Sequence, residues 1–399
     1  YNIKCQYSSD GGASWDASFP AQGQLVDETN PAVYAAGNNV FVTYVKQGNL
    51  YLVKSEDGGA TWENILFVSD STGAVDLAMN PANPRILFAT AWRAQRTPWT
   101  MISGGEEGGV YRSKDAGQTW QKLSGGLPTG MVGKIGVAVS PANPNRVWAL
   151  VEAEQGGLYR SDNGGDSWRQ VSGRKDIYHR PWYYMRVTAD PTDENTLWIN
   201  NVLFYKSLDG GATFTVVPTP HPDSHATWIN PDNPKIMIEG NDGGANVSLN
   251  GGRTWSSQRN QPTAELYRVS VDDQYPYRLY AGQQDNSTIS VPSRLRVSNV
   301  SDFEEEYQVG GGESGHVAVD PTDPNIVYAG SFGGTITQMD VRTGKAREIM
   351  TYPELQLGQL TANLKYRFQW NAPIRISPHD ASVLYHTSQV VHRSMNGGQ

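Results

Sequence analysis

Five acids in this chain stand among residue types that handle sugars: Asp223, Glu239, Asp242, Asp285 and Glu313. Near them in sequence or pattern lie Trp92, Arg93, Arg96 and Trp99, then Arg180, Trp182 and Tyr183, then His221 and His225. Gln283, Gln284, His316, Arg367 and Trp370 complete the set. Indole and phenol rings stack on the apolar face of a sugar, while amides and acids bind its hydroxyls. Hydrolysis of a glycosidic bond needs two carboxyl groups across it, one kept protonated. The five acids are therefore the candidate catalytic residues and the others the candidate ligand contacts. Turn capping competes for two of them, because Asp242 precedes Gly243-Gly244 and Asp285 precedes Asn286-Ser287.

A second chemistry is written in His221-Pro222-Asp223-Ser224-His225. In an extended segment alternate residues share a face, so His221, Asp223 and His225 would meet there. With His316 they would offer a metal imidazoles and a carboxylate. No His-Glu-x-x-His spacing accompanies them. A polar, hydrogen-bonded loop is the preferred reading, and no metal or cofactor is expected.

The elements that must position these residues are set by a repeat. Ser161-Asp162-Asn163-Gly164-Gly165-Asp166-Ser167-Trp168 is one of seven copies, which begin at Ser8, Ser55, Ser113, Ser161, Ser207, Ser248 and Ser394. Most recur at intervals of about 40–60 residues, the size of one supersecondary unit. The pattern is that of a hairpin turn. Asp or Asn is expected to fold onto backbone N–H groups two residues on, Gly takes the positive φ, and Trp or Phe opens the return strand. A second turn, such as Asn80-Pro81, Asp190-Pro191 or Asp320-Pro321, joins the first two strands of each repeat. Four strands per repeat imply an all-β fold, a single β-propeller of about eight four-stranded blades, with seven or more than eight as the alternatives. Residues 1–29 read as a partial blade, 30–350 as seven blades and 371–399 as a partial closing blade that pairs with the N-terminal strands and hides both edges. Both turn types fall on one rim. The candidate site residues fall in loops of the other rim, around the channel mouth, where function usually lives.

These turns resemble the Asp-box (BNR) repeats of sialidases, xyloglucanase-type glycosidases and the sortilin ectodomain. From about Ile65 onward, Arg96-Thr97-Pro98-Trp99, Glu239-Gly240-Asn241-Asp242-Gly243-Gly244, Gln283-Gln284-Asp285-Asn286-Ser287-Thr288, Val309-Gly310-Gly311-Gly312-Glu313-Ser314-Gly315 and Tyr366-Arg367-Phe368-Gln369-Trp370 resemble large bacterial secreted proteins labelled glycosyl-hydrolase-like or sortilin-like. The first 63 residues are more sialidase-like. The resemblance implies a secreted, periplasmic or cell-surface protein directed at an oligosaccharide or glycoconjugate, with a glycoside hydrolase at the channel mouth. The alternative is a non-catalytic scaffold that grips a protein or peptide. A sialidase would use Arg93, Arg96, Arg180 and Arg367 on a carboxylate, with Tyr183 or Tyr184 as nucleophile. The Arg-Ile-Pro signature of that family is absent.

Composition narrows the partners. A formal net charge of −8 over 399 residues disfavours nucleic acid and anionic membrane. No apolar run approaches the length of a membrane span. The one cysteine, Cys5, excludes an internal disulfide. A chain starting at Tyr1 is expected to be a mature or trimmed form.

Overall fold

A computed structural model describes residues 4–5, 19–20, 28–36, 39–46, 49–57, 61–97, 99–261, 263–294 and 305–398. The first copy of the repeated turn, at Ser8, lies outside them. The fold is all-β, and the helical segments among the described residues are short 3-10 turns such as Lys175–Tyr178. Tyr1–Asn260 and Gln261–Gln399 form two compact units.

The sheets are antiparallel meanders of propeller-blade type. In the first unit, Glu28–Ala36, Asn39–Lys46, Asn49–Ser55 and Glu63–Leu66 form one four-stranded sheet. Val132–Val139, Val147–Ala153, Gly157–Ser161 and Arg169–Ser172 form another, and Arg186–Ala189 opens a third. Between the first two lies a five-stranded sheet opening at Thr72–Met79. Its second strand, Leu87–Thr97, runs long and pairs with an additional strand, Thr100–Ser103. In the second unit the sheet opening at Val317–Val319 has four strands.

The expectation of four strands per repeat fails at the sheet opening at Ser224–Ile229, which has three strands among the described residues. The sheet opening at Ser270–Val271 also has three among them, with residues 295–304 outside the described residues, and the sheet opening at Ile374–Ile376 has three, within the stretch read as a partial blade. After Trp255 the chain makes one ladder bond, Ser256 N to Val247 O at 2.8 Å, and leaves the sheet. Lys4–Cys5 pairs with Phe19–Pro20.

Burial explains the sequence pattern. Val132–Val139 and Val147–Ala153 are buried at nearly every position, whereas Arg169–Ser172 is exposed or half-buried. Inner strands have neighbouring sheets on both faces, so they read as continuous apolar runs rather than alternating ones. Phe88, Val110 and Leu123 of one sheet pack on Val137, Val147, Ala149 and Trp168 of the next.

The repeated turn differs in detail from expectation. Asp115 Oδ1 accepts from the N–H of Thr119, four residues on, at 2.9 Å, and Asp115 Oδ2 accepts from the Thr119 hydroxyl. It is the leading serine that reaches two and four residues on: Ser161 Oγ accepts from Asn163 N at 3.3 Å and Gly165 N at 2.8 Å. The Thr119 hydroxyl bond holds the Asp115 carboxyl down at about 2. These acids are occupied as turn acceptors. Gly164 and Gly165 take φ of 69° and 91°, which a side chain would resist.

The same turn fastens neighbouring sheets. Trp148 Nε1 donates to Gly210 O at 3.2 Å, in the turn of the following repeat. Arg112 donates to Gly164 O and pairs with Asp166, and Arg160 reaches Gly210 O at 3.4 Å. Both arginines stand immediately before the leading serine of their own turn, where Lys54, Lys206 and Arg393 stand in other copies. Ser161→Ala should therefore strand the buried Gly165 N–H and lower stability by about 1–3 kcal/mol. Urea unfolding beside Ser167→Ala, on the exposed side of the turn, checks it.

Candidate functional site

In the first unit the segment entering Arg186–Ala189 is held in an unusual backbone. Arg180 and Met185 have φ of 46° and 88°, and Asp223 has 58°. Side chains in that region cost energy and persist where surroundings over-determine them. Here Arg180 lies 4.7 Å over the Tyr183 ring, and its Nη1 donates to Tyr184 Oη at 3.3 Å. Tyr184 Oη donates to Asp223 Oδ1, and Arg180 stands 3.8 Å from that carboxylate. Arg96 reaches across from the Leu87–Thr97 strand to Tyr183 Oη at 2.9 Å. Burial, then the bond to Asp223, pushes the Tyr184 phenol up. That opposes the phenolate a tyrosine nucleophile would need.

His225 joins this group through both ring nitrogens. Nε2 lies 2.6 Å from Asp242 Oδ1 and Nδ1 lies 3.1 Å from the Tyr183 carbonyl oxygen. A carbonyl only accepts, so Nδ1 carries a proton. The bond to Asp242 raises the imidazole above its ordinary value, which favours the doubly protonated ring. Such a ring has no lone pair for a metal. His221 turns its Nδ1 to its own Pro222 carbonyl. Among the described residues no group of three or more His, Cys, Asp or Glu could hold a metal ion.

A pH dependence follows. A pKa raised in the folded state means that the proton stabilises the fold at low pH. The contribution is lost as pH rises through the raised value. NMR titration should show His225 above the ordinary value of about 6.5, and Asp242→Asn should bring it down. A His225 pKa unmoved by Asp242→Asn would contradict the pairing.

Glu239, expected among the catalytic acids, is 0% exposed. Ser224 Oγ donates to its Oε1 and Asn241 Nδ2 to its Oε2 at 2.9 Å, while Asn200 Nδ2 donates to Ser224 Oγ. Burial raises its pKa. It is a core acid of the sheet and is not carried into the site. Arg93 and Trp99 are exposed, Trp99 at 83%, and neither is drawn into the Arg180 group. Trp182 meets Trp92 edge to face at 4.7 Å.

In the second unit four candidates form one hydrogen-bonded chain. Trp370 Nε1 donates to Tyr267 Oη at 3.0 Å, and Tyr267 Oη donates to Gln284 Oε1. Gln284 Nε2 donates to Asp285 Oδ1 at 2.8 Å and to Glu313 Oε2 at 3.1 Å. The Asp285 N–H also donates to Glu313 Oε2, at 3.0 Å. Two bonds to one nitrogen bring these carboxylates beside each other, the side-by-side placement that a retaining glycosidase pair, roughly 5–5.5 Å apart, requires. Trp370 stacks on Phe332 at 5.2 Å and, with Arg367, lines a cavity of about 540 Å³ walled by Leu355, Leu357, Leu364 and Phe368. Gln283 is half-buried in its strand, and His316 is buried, pushed down to about 4 by burial and then by Arg375 and Arg268.

Tyr267 was missed, although it lies in a loop entering a first strand, the class of loop that supplied Glu313 and Arg367. Lys134 and Arg186 were missed too. A charge inside the apolar run Val132–Val139 was the available signal.

No family model matches the chain, and no curated protein matches it. Solved structures resemble it at low identity. A xyloglucanase of family GH74 from Xanthomonas campestris has 15% identity and a TM-score of 0.34, over 91% of this chain and 59% of that one. YCF48 from Cyanidioschyzon merolae has 14% identity and a TM-score of 0.36, over 90% and 91%. PorZ, a surface component of the type-IX secretion system of Porphyromonas gingivalis, has 16% identity and a TM-score of 0.43, over 90% and 44%. The chain thus spans less than two thirds of the xyloglucanase and of PorZ.

Proposed function

We propose that this is a secreted or cell-surface, glycan-directed propeller with Asp-box turns, whose Gln261–Gln399 unit carries a hydrolytic carboxyl pair, Asp285 and Glu313. One observation carries the reading: a single amide, Gln284 Nε2, donates to both carboxylates. One acid would protonate the leaving oxygen and the other would attack the anomeric carbon, with retention of configuration. Trp370 and Arg367 would receive the sugar chain. Among the described residues no helix is long and apolar enough to cross a membrane.

The test is a screen of polysaccharides and aryl glycosides with wild type, Asp285→Asn, Glu313→Gln and, as a buried control, Glu239→Gln. Turnover lost in the first two variants and kept in the third supports the pair, and NMR of the first product should show retention. Turnover that survives both substitutions would end the proposal. The alternative is a non-catalytic scaffold for a protein or peptide. It is favoured by Leu355, Leu357 and Leu360, all exposed beside the cavity. Peptide binding there with no turnover of any glycoside would select it.

A further inference from the structure

The inner strand Val132–Val139 carries a lysine where its neighbours are apolar. Among the described residues the Lys134 ammonium has neither a hydrogen bond nor an ion pair. It stands 5.3 Å from the centre of the Trp92 ring. The acids close to it have taken other donors. Asp76 accepts from the N–H groups of Leu77 and Val137, both at 3.0 Å, and from Arg186 Nη1 at 3.2 Å. Glu152 Oε2 accepts from Ser103 Oγ at 2.7 Å and from the Lys134 N–H at 2.8 Å.

Arg186 opens the adjacent inner strand, which packs beside Val132–Val139. Lys134 thus shares its surroundings with a second cation. Burial first, and then the charge of Arg186, pull its ammonium down to about 8 against the opposing effect of Asp76 and Glu152. Beyond Trp92 lies Trp182, half-buried, with an indole N–H that has no acceptor. Arg186 is ion-paired with Asp76, whereas the desolvated Lys134 amine has no acceptor of its own and is stabilised by an incoming anion. The half-buried Trp182 indole alongside it favours a sugar ring over a bare ion.

We propose that Lys134 and Arg186, with Trp182, bind the carboxylate of an acidic sugar unit. The site lies within the Tyr1–Asn260 unit and does not depend on the Asp285–Glu313 reading.

Calorimetric titration with an oligogalacturonate at pH 7, beside a cello-oligosaccharide and inorganic sulfate, tests it. Wild type should bind the oligogalacturonate at least about ten-fold more tightly than the neutral chain, the effect of one charge-assisted contact. Lys134→Met should weaken it about ten-fold or more, and Lys134→Arg should hold it within about three-fold. Wild-type affinity should fall between about pH 7 and pH 9 as the amine loses its proton, while Lys134→Arg should show no such fall. Melting curves confirm that Lys134→Met is folded. Equal binding by wild type and Lys134→Met, equal binding of neutral and acidic chains, or sulfate binding as tightly as the sugar would overturn the proposal. So would a wild type that binds no oligogalacturonate.

Discussion

Trp148→Ala should remove about 3–5 kcal/mol of stability, the cost of emptying a fully buried indole site. Trp148 is 0% exposed and packs with Leu150, Leu158, Val187, Leu197 and Phe214. Its indole N–H also ends on Gly210 O in the turn of the next repeat. The substitution therefore opens a cavity and leaves a buried carbonyl short of a donor in one step. Trp148→Phe separates the two effects, since it keeps an aromatic ring in the core and removes the donor. It should cost less than the alanine, on the order of 1–3 kcal/mol. Urea midpoints for both variants decide the matter. A Trp148→Ala protein as stable as wild type would mean that the sheets do not depend on this joint.

Glu313→Gln should lower turnover about 10²–10⁴-fold with little change in KM, because amide and carboxyl share a shape and differ in proton chemistry. Each tenfold loss corresponds to about 1.4 kcal/mol of transition-state stabilisation. Asp285→Asn should act in the same range. Glu239→Gln touches neither carboxyl. Glu239 is enclosed by Ser224 and Asn241, so its substitution should appear in the melting curve rather than in turnover. A loss of turnover in Glu239→Gln equal to that in Glu313→Gln would point to general unfolding rather than chemistry.

The repeat made much of the fold legible. The strands Leu197–Asn200 and Ile326–Gly330 follow the Asp190-Pro191 and Asp320-Pro321 turns as expected of second strands, because apolar runs bounded by Pro turns and by the Ser-x-Asp turn leave few alternatives. What repeats, however, says nothing of where a repeat falls short. The sheet opening at Ser224–Ile229 has the turn at Ser248 and still lacks a paired fourth strand. The candidate site was half legible. Gln284, Asp285 and Glu313 are legible as polar residues in loops of one rim. Their closeness is not, since it depends on how the 284 loop meets the 313 loop through side chains. The burial of Glu239 is not legible, because a sequence does not show Ser224 and Asn241 bonded to its carboxylate. Lys134 was passed over because the strand around it is so plainly core.

The fastening of each sheet to the next has a consequence for how such a chain can lengthen. Gly164 O and Gly210 O are each received by side chains of the preceding repeat, Arg112 in one case and Trp148 with Arg160 in the other. At these two joints a repeat supplies an outgoing plug, the basic residue before its leading serine, and the next repeat an incoming socket, the glycine carbonyl within its turn. A duplicated segment would arrive with both halves of the joint already matched to its neighbours. Gene duplication could then add or remove sheets without inventing an interface, and the number of repeats would be free to drift while the joint itself stayed fixed.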